Sequence, residues 1–192
     1  MNKRTLRKHY LAERKKLSDE QIAQASRAIC RQFFARFPPD ALRNLHCFLP
    51  IHQQKEVDTK LIIGHIHRFH PEVTVVIPKV NGDHLENYVW NSRLELASTP
   101  GGIPEPVAGD GFPTERIASV LVPLVIFDQR GHRVGYGKGY YDRFLAECRP
   151  GTVKIGLSVF EPVAAIPEPD EWDVRLNYCV TPRKVWVFPA PA

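Results

Sequence analysis

Ile22, Ala25, Ile29, Phe33 and Phe37 recur at spacings of three and four residues, the period of one helix face. Ser18 precedes the run with Gln21 three residues on, a capping-box pattern, and Pro38-Pro39 stops it. Residues 3–16 predict an earlier helix, strongly basic, with Leu6, Tyr10 and Leu11 on one side. "LHCFLPI" (45–51) reads as a buried strand. A helix carrying Val57, Leu61, Ile62, Ile66 and Phe69 follows, and then the strand "VTVVIPKV". Asn81-Gly82 is a two-residue hairpin signal that returns the chain along "HLENYVW". "ASVLVPLVIFD" (118–128) is the most apolar strand candidate, as expected at the centre of a sheet covered on both faces. "YYDRFLAEC" predicts a helix, "TVKIGLSVF" a strand, and "YCVTPRKVWVF" one or two edge strands.

Strands alternating with helices predict an α/β fold: three α/β/α layers around a central sheet that is mostly parallel, made mixed by the hairpin. Ligands of such sheets sit beyond the carboxyl ends of the strands, which is where the segment after Asp128 lies.

The 192 residues suit one domain spanning 1–192, and 43% hydrophobic content suffices for a core without staples. Net charge of +5 directs attention to anionic partners. "MNKRTLRKHYLAERKK" has no apolar h-region, and no run reaches the ~18 apolar residues of a membrane span. Cys30, Cys47, Cys148 and Cys179 are scattered without C-x-x-C pairing, so reduced thiols in a cytoplasmic protein are expected. Within "HIHRFH" (65–70), His65 and His67 cannot share a helix face, and helical zinc pairs want i, i+4 spacing, so no metal is assigned there.

Chemistry concentrates in "GHRVGYGKGYYDRFL" (131–145), where Gly135, Gly137 and Gly139 alternate with Tyr136 and Lys138 between a strand and a helix. Backbone N–H groups freed by glycine, a helix amino terminus, Lys138 and Arg133 together suit a polyphosphate. A plain glycine-rich turn fits the same residues. The spacing is neither the Walker A pattern nor G-x-G-x-x-G. Asp142, in the first helical turn, suits either Mg²⁺ or compensation of the helix dipole.

"PLVIFDQRGHRVGYGKGYYDRFL", with "KRTLR", "KEVDT" (55–59), "GIPEP" (102–106) and "DEWD" in the same order, resembles the 5-formyltetrahydrofolate cyclo-ligase family. The resemblance implies an ATP- and Mg²⁺-dependent conversion of 5-formyltetrahydrofolate to 5,10-methenyltetrahydrofolate, releasing ADP and phosphate. It implies ATP contacts at Lys3, Arg4, Thr5, Leu6 and Arg7, and along Arg133, Val134, Gly135, Tyr136, Gly137, Lys138, Gly139, Tyr140 and Tyr141. Folate contacts carry over to Ile51, Glu56 and Tyr136, Gly137, Lys138, Gly139 and Tyr140. Lys138 and Arg133 are the implied catalytic residues, and Asp142 and Asp173 the implied metal carboxylates. A monomer without nucleic-acid or membrane partners is expected.

Three positions depart from the family pattern. Asn177 stands where an acid is often found, Gly101 where an aromatic often precedes "GIPEP", and Tyr136 where some relatives carry arginine. Trp90, Tyr136 or Tyr140 would then have to supply the stacking surface. Two rival readings use the same loop: another ATP-dependent activator of a small amide or acid, and a basic nucleotide- or RNA-binding module without turnover. The chain shows no RRM or KH signature.

Overall fold

The computed structural model describes residues 2–99, 102, 104–167 and 170–189. In chain order the elements are α1 (Lys3–Lys16), α2 (Asp19–Arg36), α3 (Pro39–Leu42), β1 (Asn44–His46), α4 (Lys60–Phe69), β2 (Thr74–Asn81) and β3 (His84–Val89). There follow β4 (Glu95–Ser98), β5 (Pro104–Ala108), β6 (Ser119–Val122), β7 (Ile126–Phe127), β8 (Arg133–Val134), α5 (Tyr140–Glu147), β9 (Val153–Leu157), β10 (Tyr178–Val180) and β11 (Val185–Val187). Short 3-10 turns cover His52–Gln54 and Thr114–Arg116.

Seven strands form one sheet in the order β11-β10-β9-β6-β1-β2-β3. The five central strands are parallel, and β3 and β11 close the edges antiparallel. Alternation within β6 shows why its sequence is apolar throughout. Leu121 joins Ile29 and Phe33 of α2 and Ile62, Ile63 and Ile66 of α4 on one face. Val120 and Val122 join Phe144 and Leu145 of α5 on the other. Both faces are covered, as parallel strands require. A smaller cluster of Leu6, Ile126, Val134 and Ile166 seats α1 on the β7–β8 hairpin.

The capping box of α2 is present in full: Gln21 N–H donates to Ser18 Oγ, and Ser18 N–H to Gln21 Oε1. Several expected boundaries move. The apolar stretch 118–128 is not one strand. Pro123 cannot donate to a ladder, and Val125 N–H turns instead to Val134 O, so β7 leaves the main sheet. Residues 45–51 pair as a strand only through His46, with Cys47 N–H still donating to Val76 O at 2.8 Å. Asn81 pairs with His84, which makes Gly82 (φ +62°) and Asp83 the hairpin loop, one residue later than expected. In α4, Ile63 is buried, whereas Leu61 and Phe69 are exposed. The hairpin β4–β5 had no clear periodic signal, since all four residues of β4 face solvent. Among the described residues no helix is long and apolar enough to cross a membrane, and all four cysteines are free thiols.

Candidate active site

The carboxyl ends of β1, β6 and β9 open onto a small cleft walled by Phe48, Val57, Leu124 and Leu157, with Arg14, Glu56 and Ser158 as its polar groups. The position is the one an open parallel sheet offers a ligand. Three segments converge there: the connection after β1, the glycine-rich loop after β8, and α1.

Asp128 builds the turn that launches the loop. Its buried carboxylate accepts N–H bonds from Arg130, His132 and Ile166, each at 2.9 Å. Arg133 then sits almost wholly buried and donates through Nη2 to Asp142 Oδ1 at 2.7 Å and through Nη1 to Val174 O. Gly137 and Gly139 both have positive φ (+91° and +71°), a conformation that side chains disfavour. The need at Gly137 is also spatial, because a Cβ there would stand 3.0 Å from Arg7 Cζ. Arg7 Nε donates to Gly135 O at 2.7 Å, so the first helix grips the loop from below.

Glu56 is buried beneath the loop. Its Oε2 accepts Ile51 N–H at 2.7 Å and its Oε1 accepts the Tyr136 hydroxyl at 2.5 Å. Burial pushes the Glu56 carboxyl up, against the pull of those two hydrogen bonds and the charges of Arg14 and His52. Tyr136 is itself raised, by burial first and then by the neighbouring carboxylate, with Arg14 opposing. Tyr141 buries its hydroxyl without a partner, and burial raises it too.

A family model described as the 5-formyltetrahydrofolate cyclo-ligase family matches residues 1–182. The chain belongs to that family. A protein of Escherichia coli strain K12 named 5-formyltetrahydrofolate cyclo-ligase is 32% identical over 136 residues, 68% of this chain and 74% of the relative. The NMR structure of Aquifex aeolicus 5,10-methenyltetrahydrofolate synthetase superposes with a TM-score of 0.84 at 30% identity, covering 100% of this chain and 95% of that one. A 5,10-methenyltetrahydrofolate synthetase from Mycoplasma pneumoniae gives 0.75 at 25% identity, covering 95% and 99%.

Against the family pattern, the structure brings Ile51, Glu56, Arg7, Gly135 and Tyr136 together. Lys138 stays outside this group. It is exposed, with Nζ 5.9 Å from the Tyr140 ring centroid, and Arg143 covers the same ring at 5.3 Å. Thr5 is occupied locally, its hydroxyl and N–H both donating to Asn2 Oδ1. Leu6 and Val134 face the core, so only their backbone could meet a nucleotide, and Arg4 is exposed. Lys3 is held by Asp170 at 2.7 Å and by Asp173.

The two implied metal carboxylates flank Val174, whose N–H donates to Asp142 Oδ1 at 3.2 Å. Asp142 shares that oxygen with Arg133, while Asp173 is paired to Lys3. Among the described residues no three His, Cys, Asp or Glu side chains converge as a metal cage. Asp142 Oδ2 has no partner among the described residues and, with phosphate oxygens, suits Mg²⁺, whereas Asp173 Oδ2 already accepts from Lys3 and from Asp170 N–H. Asn177 is no part of that set, because its Oδ1 accepts Lys154 N–H at the amino end of β9. Gly101 and Ile103 of the "GIPEP" region lie outside the described residues. Trp90 packs against the core that α2 and α4 cover, which leaves Tyr136 and Tyr140 as the aromatics of the loop.

One site residue escaped the sequence reading. Arg14 is 4% exposed, donates to the Tyr136 hydroxyl at 2.5 Å and to Leu124 O at 3.2 Å, and faces Glu56. Its signal was the stripe Lys3, Arg7, Tyr10 and Arg14, which a helical period places on one side of α1.

Proposed function

We propose that this protein converts 5-formyltetrahydrofolate to 5,10-methenyltetrahydrofolate with ATP, releasing ADP and phosphate, in the cytoplasm, where its free thiols stay reduced. The observation that carries the reading is the contact of the glycine-rich loop with Glu56 through Tyr136, at 2.5 Å, beyond the carboxyl ends of the sheet. A loop suited to phosphate and a carboxylate suited to a pterin N–H donor thereby share one cleft, in a chain of the cyclo-ligase family.

A formamide oxygen is a poor leaving group. It therefore attacks the γ-phosphorus of ATP, ADP departs, and the formyl carbon gains iminium character. N10 of the folate adds to that carbon, the N10 proton is lost, and the original oxygen leaves with phosphate. The protein has to hold the formyl oxygen in line with the phosphorus and to neutralise equatorial charge. Glu56 and Ile51 orient the folate, Arg7 and the loop glycines shape the phosphate seat, and Arg133 fixes the root of the loop. Exposed Lys138 swings from Tyr140 onto the γ-phosphate. Asp142, with Asp173 once Lys3 turns to the nucleotide, would hold Mg²⁺, which neutralises phosphate charge when bound.

Mixing the protein with ATP, Mg²⁺ and 5-formyltetrahydrofolate should produce the near-ultraviolet band of the methenyl product. A folded sample at high concentration that gives no band would refute the reading; ATP hydrolysis without the band would favour another activator. Lys138→Ala should lower kcat by at least ~100-fold while folate affinity changes little, as expected for a contact made in the transition state. An unchanged kcat would remove Lys138 from the mechanism.

A further inference from the structure

Arg14 is an expensive residue to keep where it is. Desolvating a guanidinium inside an apolar wall is unfavourable unless its charge is used, and an apolar side chain of similar size would pack the same wall. Its Nε–H, moreover, is buried without a protein partner. Anchoring of α1 does not demand it, because Lys3 and Arg7 already tie the helix to the 170–173 segment and to Gly135.

What Arg14 does have is a place in a series. Nη2 donates to the Tyr136 hydroxyl at 2.5 Å, with the guanidinium carbon 5.6 Å from the ring centroid. Because that hydroxyl accepts from a cation, its own proton is directed at Glu56 Oε1, also at 2.5 Å. Ile51 N–H fixes the other oxygen. Cation, phenol and carboxylate thus form one chain that ends in the cleft.

We propose that Arg14 is a positioning residue for the folate: through the Tyr136 hydroxyl it keeps the Glu56 carboxylate charged and aimed as an acceptor for ligand N–H groups. The proposal rests on the reading of Glu56 as a folate contact. The groups facing Glu56 are Arg14 from α1, Tyr136 from the loop, Tyr141 from α5 and His52 from the turn after β1. Of these, Arg14 is the buried guanidinium, whereas His52 lies exposed. Without Arg14, burial favours the neutral carboxyl, which offers a ligand donor one acceptor fewer.

The test compares wild type, Arg14→Gln, Arg14→Lys, Tyr136→Phe and the Arg14→Gln/Tyr136→Phe double variant. Melting temperature, 5-formyltetrahydrofolate binding without ATP, and kcat/KM from pH 5.5 to 9 are measured for each. Arg14→Gln should weaken folate binding by about 10–100-fold with ATP KM changed less than about threefold. The pH below which folate binding fails should move upward in Arg14→Gln and return toward wild type in Arg14→Lys. Tyr136→Phe should reproduce the loss, and the double variant should fall within about threefold of either single one, because the residues act in series. A folded Arg14→Gln with wild-type folate affinity and an unmoved acid limb would overturn the proposal, as would losses that multiply in the double variant. If Arg14→Gln fails to fold, Tyr136→Phe decides, since it keeps Arg14 and cuts only the bridge. Failure of wild type itself to bind or convert 5-formyltetrahydrofolate would instead refute the proposed function.

Discussion

Replacing Asp128 with alanine removes the acceptor around which the β7–β8 hairpin is built. Ile166 N–H, which donates to Oδ2 inside the core, loses its partner outright, a cost of about 1–3 kcal/mol. The N–H groups of Arg130 and His132 are only part-buried, so water recovers much of their loss and each costs about 0.5–1 kcal/mol. The 3.4 Å ion pair to Arg130, whose side chain is 55% exposed, adds at most about 1 kcal/mol. Asp128→Ala should therefore destabilise the protein by about 2–6 kcal/mol, measurable by urea unfolding, and lower Tm by about 4–24 °C for a chain of this size. Asp128→Asn keeps one acceptor oxygen and should fall between alanine and wild type. Because the hairpin carries Arg133 and the loop, kcat/KM at 10 °C, where the variant remains folded, should fall as well. A loss of stability below about 1 kcal/mol would show that the three N–H groups find other acceptors and that Asp128 does not organise the turn.

Two further perturbations probe the interior and the loop. His46 is fully buried with both ring nitrogens unpartnered, and burial pushes its pKa down to about 3 from an ordinary 6.5. The folded state therefore refuses a proton that the unfolded chain accepts: stability is complete above about 6.5 and is lost as pH falls toward 3, by up to about 1.4 kcal/mol per unit. His46→Leu should flatten that slope in urea titrations between pH 7 and 5, and an unchanged slope would assign the acid lability to other groups. Gly137→Ala places a methyl group 3.0 Å from Arg7 Cζ at a φ of +91°. It should cost about 1–2 kcal/mol of strain, lower kcat/KM at least tenfold, and move Tm by only a few degrees; full activity would mean that the Arg7 contact is dispensable.

Local signals were the legible ones. The Ser18–Gln21 box, the Pro38-Pro39 stop and the glycine pattern of the loop act over a few residues, so their sequence carries their geometry. The apolar run through Pro123 misled because hydrophobicity reports burial, and both β6 and β7 are buried, while strand pairing depends on a proline N–H that does not exist. Site chemistry was legible as far as a motif carried it. The glycines, Tyr136 and Glu56 could be placed together by resemblance to the family. Arg14 could not, since one arginine in a basic helix looks like any other until the helix is docked. The ion pairs that occupy Lys3, Asp142 and Asp173 were equally hidden, being long-range products of the fold.

The first helix has a consequence for how the protein is made. Its grips on the loop and on the acidic segment span 128, 122 and 170 residues of sequence. On the ribosome, α1 emerges well before these partners and carries its basic stripe without them until the chain has been translated past residue 173. A chain terminated before that point holds no fully assembled binding site.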